Sequence, residues 1–236
     1  MTQLQHDPRL RQSWRVVTLG WCAWLLVTWG LSLMKTSVVP ASRWMIFVVA
    51  IGAMAIWPAF RLSQVGRGGG ASEGRGSRGV SLPRMARRVV LGDWLTITVL
   101  TQMMIWPLWL SSAKVVPVGD VVVYHTRWSA LQTAWLGAAL AAWTLLTAAT
   151  VAWGLGRNTR TAAMAAMAVC LLLLVGEPLA YAVAGAASVG ETSWPAFRVS
   201  PLSTLWGLTV TKAEFRAEPW IARIASVGTA AIVAWL

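Results

Sequence analysis

The sequence predicts an all-α polytopic membrane protein with six transmembrane helices, and three observations carry that prediction. Hydrophobic residues fill 57% of the 236 positions while charged residues fill 12%, whereas a soluble domain carries about 25% charged residues. Six stretches approach the roughly 20 apolar residues that a helix needs to cross a bilayer core of about 30 Å. Arginines, finally, gather in alternate connections between those stretches.

The six candidate spans are residues 16–34, 44–60, 89–111, 128–155, 161–187 and 221–236. The first is longer than the apolar core of a signal peptide, about 7–15 residues, and no small-residue cleavage site follows it, so it is expected to be retained. The last has 16 residues and ends on "AIVAWL" without a flanking charge. Either the final helix is short or the chain continues, and continuation is the expectation.

Basic residues resist translocation and so set orientation. Residues 61–88 carry Arg61, Arg67, Arg75, Arg78, Arg84, Arg87 and Arg88 against Glu73, which places this connection in the cytoplasm. Counting outward, the arm of residues 1–15, with Arg9, Arg11 and Arg15, and the turn with Arg157 and Arg160 fall on the same side. The N-terminus is therefore expected inside, with the protein in the plasma (inner) membrane. A net charge of +12 fits attraction to anionic lipid better than nucleic acid, because the arginines flank membrane spans and have no stacking aromatic face beside them.

Within the basic connection, residues 66–79 are glycine at half their positions and cannot bury enough to offset the entropy of ordering them. Ser81 as cap and Pro83 early in the helix predict a short basic helix leading into the third span. Trp14, Trp44, Trp94, Trp109, Trp128, Trp153 and Trp220 lie near predicted span ends, where indoles anchor at the headgroups. Trp21, Trp24, Trp29, Trp135 and Trp143 lie within spans and face lipid or another helix. Small residues in the fourth span, Gly137, Ala138, Ala141, Ala142 and Ala148, and in the fifth, Ala162, Ala163, Ala165, Ala166 and Ala168, predict close packing of the two around their connecting turn.

Several chemistries find no support. His6 and His125 lie outside the spans and cannot form a haem-ligating pair. Cys22 and Cys170 lack the spacing of metal or redox sites. No phosphate-binding loop is present, since the glycine-rich stretch lacks the lysine and the strand-to-helix setting. Asp93 and Glu177 are the carboxylates in or bordering the spans, too few for paired acid–base work. The chain is therefore expected to be neither an ATPase nor another enzyme, with no catalytic residue, cofactor or metal.

Glu177 stands 16 residues into the fifth span, about 24 Å along its axis, where an ionisable group is costly unless it has a partner or a cavity. Pro178 withdraws a backbone donor, so a break or kink is expected there. Tyr181 follows within hydrogen-bonding reach of the carboxylate if the backbone stays helical. Glu177, Pro178 and Tyr181 are thus candidates for a transport path. The alternative is a carboxylate at the helix exit, partnered by an arginine of the last connection such as Arg198. That connection, residues 188–220, contains "SPLSTLWGLTV", read as a pair of re-entrant or interfacial helices beginning with Ser200 as cap and Pro201 in the first turn, or else as a loop lying on the headgroups.

Six spans with both ends inside, a basic connection after the second, the turn "GRNTR" at residues 156–160 and "SPLSTLW" at residues 200–206 resemble ABC transporter permeases of the polysaccharide and drug export class. That resemblance covers nearly the whole chain by topology. It implies a separate ATP-binding subunit, a dimer with itself or a related permease, an interfacial helix near residues 5–15 and a coupling helix near residues 83–88. Arg84, Arg87 and Arg88 then become the candidates for contact with the ATPase. The glycine-rich insert is longer than such a coupling connection needs. A second reading is a non-catalytic scaffold subunit of a larger membrane complex, which abundant Trp and small-residue faces suit equally well.

Overall fold

A backbone surrounded by apolar side chains and lipid must satisfy its own polar groups, and long uninterrupted helices do so. The computed structural model describes residues 8–33, 38–65, 82–112, 116–118, 121–123, 128–187, 200–210 and 218–235. In chain order these form α1 (Pro8–Leu33), α2 (Val38–Ile51), a π turn (Gly52–Ile56), α3 (Trp57–Leu62), α4 (Leu82–Ser112), strands β1 (Val116–Val118) and β2 (Val121–Val123), α5 (Ala130–Arg157), α6 (Arg160–Ala187), α7 (Pro201–Val210) and α8 (Glu218–Trp235).

Four segments are long and apolar enough to cross a membrane: Arg43–Leu62, Arg84–Pro107, Ala130–Arg157 and Arg160–Ala180. They correspond to the second through fifth predicted spans. The first predicted span falls in α1, and the sixth falls in α8, whose apolar stretch Trp220–Trp235 is a shorter helix. Leu19, Leu26, Leu95, Met103, Met164 and Leu172 stand exposed on the outer faces, which suits lipid and reverses the pattern of a soluble surface.

The turn between α5 and α6 follows from its sequence. Asn158 takes the left-handed conformation (φ 48°, ψ 30°) that ends α5, and its N–H donates to the Leu155 carbonyl. Thr159 Oγ1 then accepts the Ala162 N–H at 3.2 Å and opens α6. Close packing beside this turn is as expected. A Cβ on Gly154 would come within 2.8 Å of the Ala166 Cβ, so only hydrogen fits there. Gly137, by contrast, faces α4: its missing Cβ makes room for the Gln102 amide.

α5 is the central strut. It packs against α4, α6, α7 and α8 and buries Leu136, Ala139, Leu140, Trp143, Ala148 and Val151. One apolar cluster joins α1, the α2–α3 segment, α4, α5 and α6. A second, built on Ile46, Ile105, Trp128, Leu205, Leu208 and Trp220, joins α2, α4, α5, α7 and α8.

Several expectations are corrected here. Residues 116–123, expected as plain connection, include an antiparallel hairpin with Val116 opposite Val123 and Val118 opposite Val121, where the Val-rich composition favours strand. The short basic helix expected to lead into the third span is present as the first turns of α4, which runs unbroken from Leu82. Likewise the N-terminal arm from Pro8 onward is the start of α1. Of the break or kink expected at Pro178, the break does not occur: α6 continues through it, because neighbouring helices hold a helix that lacks one donor. Three presumed interfacial indoles turn inward. Trp128 and Trp220 are buried in the second cluster, and Trp94 donates to the Ala141 carbonyl and Thr144 Oγ1 on α5, each at 3.2 Å. Trp14, Trp44 and Trp153 remain exposed as expected. Residues 66–81, including the glycine-rich stretch, lie outside the described residues.

The second span bends from α into π register at Gly52–Ile56, where the Trp57 N–H reaches back to the Gly52 carbonyl. Pro58 has no N–H to continue the α ladder, and the π turn before it takes up the mismatch. Trp24 of α1 packs into the same place, its Nε1 donating to the Val48 carbonyl at 3.2 Å. A Cβ on Gly52 would lie 2.2 Å from that nitrogen. Gly52→Ala should therefore cost about 1–3 kcal/mol through overpacking, read as a lower thermal-unfolding midpoint in detergent. Gly20→Ala, with open space around its Cβ position, should leave the midpoint unchanged or raise it.

Candidate functional site

The ten residues of α7 are too few to span a bilayer, yet Ser203, Thr204, Leu205, Leu208 and Thr209 are all buried against α2, α5 and α6. A short buried helix leaves N–H groups at one end and carbonyls at the other with no intrahelical partner. Side chains from three other helices meet these demands.

At the N-terminus, Ser200 caps the helix as the sequence predicts, its Oγ accepting the Ser203 N–H at 3.1 Å. A capping box would supply a glutamate from the helix's own third residue to accept the Ser200 N–H. Here that residue is Ser203, and Glu177 of α6 takes the role from across the interface. Its Oε2 accepts the Ser200 N–H and also the Ser203 hydroxyl, the latter at 2.7 Å. A carboxylate at this end also complements the helix dipole.

At the C-terminus, Gln132 Nε2 of α5 donates to the Leu208 carbonyl, and Arg43 Nη2 of α2 donates to the Thr209 carbonyl at 3.2 Å. The Arg43 guanidinium lies 5.7 Å from the Trp206 ring centroid, and Phe47 packs 5.8 Å from the same ring. A cation thus sits at the negative end of α7 and an anion at the positive end.

The depth of this arrangement follows from helix register. Glu177 lies 11 residues beyond Ala166, which packs at Gly154, so it stands about 16 Å above that contact. Gln132 lies 22 residues before Gly154, about 33 Å above it. The difference of about 17 Å matches the length of α7, about 15 Å for its ten residues. The α7 N-terminus therefore enters the interior of the bundle, level with the middle of α5.

Of the three transport-path candidates, Glu177 has this defined role and Pro178 follows it within α6. The Tyr181 side chain and Arg198 lie outside the described residues. Glu177 Oε1 is buried and makes no hydrogen bond among the described residues. Arg84, Arg87 and Arg88 are exposed on the first turns of α4, well removed along that helix from the α7 cradle.

A second polar cluster lies at the other end of the second span. Arg61 donates to Asp93 through Nε at 2.5 Å and Nη2 at 2.7 Å, and Trp57 Nε1 donates to the same carboxylate at 3.3 Å. Arg61 and Asp93 are 2% and 1% exposed, so this bidentate pair is sealed inside the bundle. It ties α3 to α4, the two flanks of the basic connection. Arg61 reads from sequence as one more loop arginine and Asp93 as an isolated acid. The available signal was the position of Asp93 within an apolar stretch, where a lone charge is costly, with Arg61 at the end of the neighbouring one. Gln132, Arg43 and Ser203 carried no comparable signal.

Asp93→Asn should leave the Arg61 charge buried with a weakened partner and lower stability by up to about 3–5 kcal/mol. The paired replacement Arg61→Met with Asp93→Leu should recover most of that loss in thermal unfolding. Glu177→Ala should cost about 0.5–2 kcal/mol as a lost cap, and Glu177→Gln less, because the amide oxygen still accepts. Comparison with protein-family models, with curated proteins and with solved structures finds no match.

Proposed function

We propose that this chain is the membrane-spanning permease subunit of an ABC-type transporter, driven by an ATPase on a separate chain. The observation that carries the reading is α7: a short helix placed between α6 and α8 whose N-terminus reaches the interior of the bundle. Interrupted helices that end inside the membrane are a recurring device of transporters, where non-spanning backbone is tolerated because protein covers its ends. In this reading α1 and α8 complete six spans, both termini face the cytoplasm, and α7 is re-entrant from the outer side of the plasma membrane. The exposed Arg84, Arg87 and Arg88 at the start of α4 then face the cytoplasmic ATPase. The buried Arg61–Asp93 pair, bridging α3 and α4, gives a push on that segment a stiff route into the bundle. A second copy of this chain or a related permease completes the transporter.

Affinity purification from native membranes in mild detergent tests the proposal. The expected result is a co-purifying nucleotide-binding chain with vanadate-sensitive ATP hydrolysis. Replacing Arg84, Arg87 and Arg88 with Ser should sharply reduce both. Recovery of an intact complex that contains no nucleotide-binding chain would reject the transporter reading in favour of a scaffold subunit.

A further inference from the structure

Threonines in these helices follow a common rule. The hydroxyls of Thr18, Thr28, Thr96, Thr133, Thr144, Thr147 and Thr150 each donate to the carbonyl four residues back, at 2.7–3.1 Å. This is the usual way for a hydroxyl in an apolar helix to satisfy itself. Thr98 and Thr101 of α4 depart from it: both Oγ1 atoms are buried and have no hydrogen-bond partner among the described residues. Both residues line a small cavity bounded by Val49 and Ala53 of the second span, Gln102 of α4, and Leu140, Ala141 and Thr144 of α5. Thr98, Thr101 and Gln102 share one face of α4 at spacings of three and four. All three helices contribute residues from the middle of their membrane-length segments.

The cavity lets the centre of a water-sized sphere range over about 10 Å³, so one water fits within it. A water in an apolar interior also needs at least two polar partners, and the two hydroxyls and the Gln102 amide supply three. The cavity has no carboxylate in its lining, so a bare cation would be poorly compensated at this depth. We propose that a single water is bound here, held by Thr98, Thr101 and Gln102 between the second span, α4 and α5. It turns two stranded hydroxyls into ligands and places a hydrated point beside the π turn, where the second span departs from regular helix.

The sign of a stability change tests this. Valine replaces the threonine hydroxyl with a methyl group of similar size. If the water is present, Thr98→Val and Thr101→Val each remove one of its ligands and strand the others, so the unfolding midpoint in detergent falls. The double variant should lose less than the sum of the single losses, because the first substitution already releases the water, and Thr98→Ser and Thr101→Ser should stay near the parent. If the hydroxyls are dry, valine removes an unsatisfied polar group and the midpoint rises or stays level, which overturns the proposal. A midpoint that rises when sodium or potassium replaces choline at constant ionic strength assigns the site to a cation and overturns it equally. Density for an ordered oxygen within hydrogen-bonding distance of both threonine hydroxyls, in a high-resolution structure of the parent chain, supports the proposal without any variant, and continuous apolar packing at that point rejects it.

Discussion

A polar group placed within the apolar spans gets no hydrogen bond from lipid, so its partners come from within the protein or from water enclosed in it. Helix α7 meets this constraint most fully. Its N–H end is closed by Glu177 with Ser200, and its carbonyl end by Gln132 and Arg43. These partners come from α6, α5 and α2, so the position of the short helix is fixed by all three together. Its position is a consequence of the whole bundle, and it ties the bundle together in return.

The same demand organises the other end of the second span. The Trp24 indole answers the Val48 carbonyl beside the π turn, and Arg61, Asp93 and Trp57 answer one another below it. A buried ion pair contributes little net stability against an apolar pair of the same shape, but it is costly to break on one side only. Its effect is therefore to specify register. Helices α3 and α4 meet with Asp93 against Arg61 or leave two charges stranded, and this choice is made where the basic connection enters and leaves the membrane segments.

Small residues govern how closely the helices approach. Gly154 lets α6 lie against α5 beside their turn, Gly137 admits the Gln102 amide, and Gly52 admits the Trp24 ring. Apolar burial drives little association between helices already surrounded by lipid, so such contacts gain through dispersion and hydrogen bonding at short range. An indole or amide brought against bare backbone supplies both. The inward-turned Trp24 and Trp94, each donating to a backbone carbonyl of a neighbouring helix, follow from this, whereas Trp128 and Trp220 turn inward into an apolar cluster.

Features that depend on residues adjacent in the chain were legible in the sequence. The four membrane-length segments follow from apolar run length, the α5–α6 turn from Asn158 and Thr159, and the start of α7 from Ser200 and Pro201. Glu177 stood out because a carboxylate in an apolar run is costly, but its partner did not: an arginine, a tyrosine and a helix end all satisfy the same oxygen. Which of them it meets depends on how α6 and α7 pack, a contact between residues 23 and 26 positions apart. The same holds for Arg61 with Asp93 and for Arg43 with Thr209, 32 and 166 positions apart. The chain by itself determined where its helices lie and which polar groups would need an answer, since hydrophobic length and end-capping are local. Only the tertiary structure decided which residue answers each one, since that choice is made by helix packing across long separations in the chain.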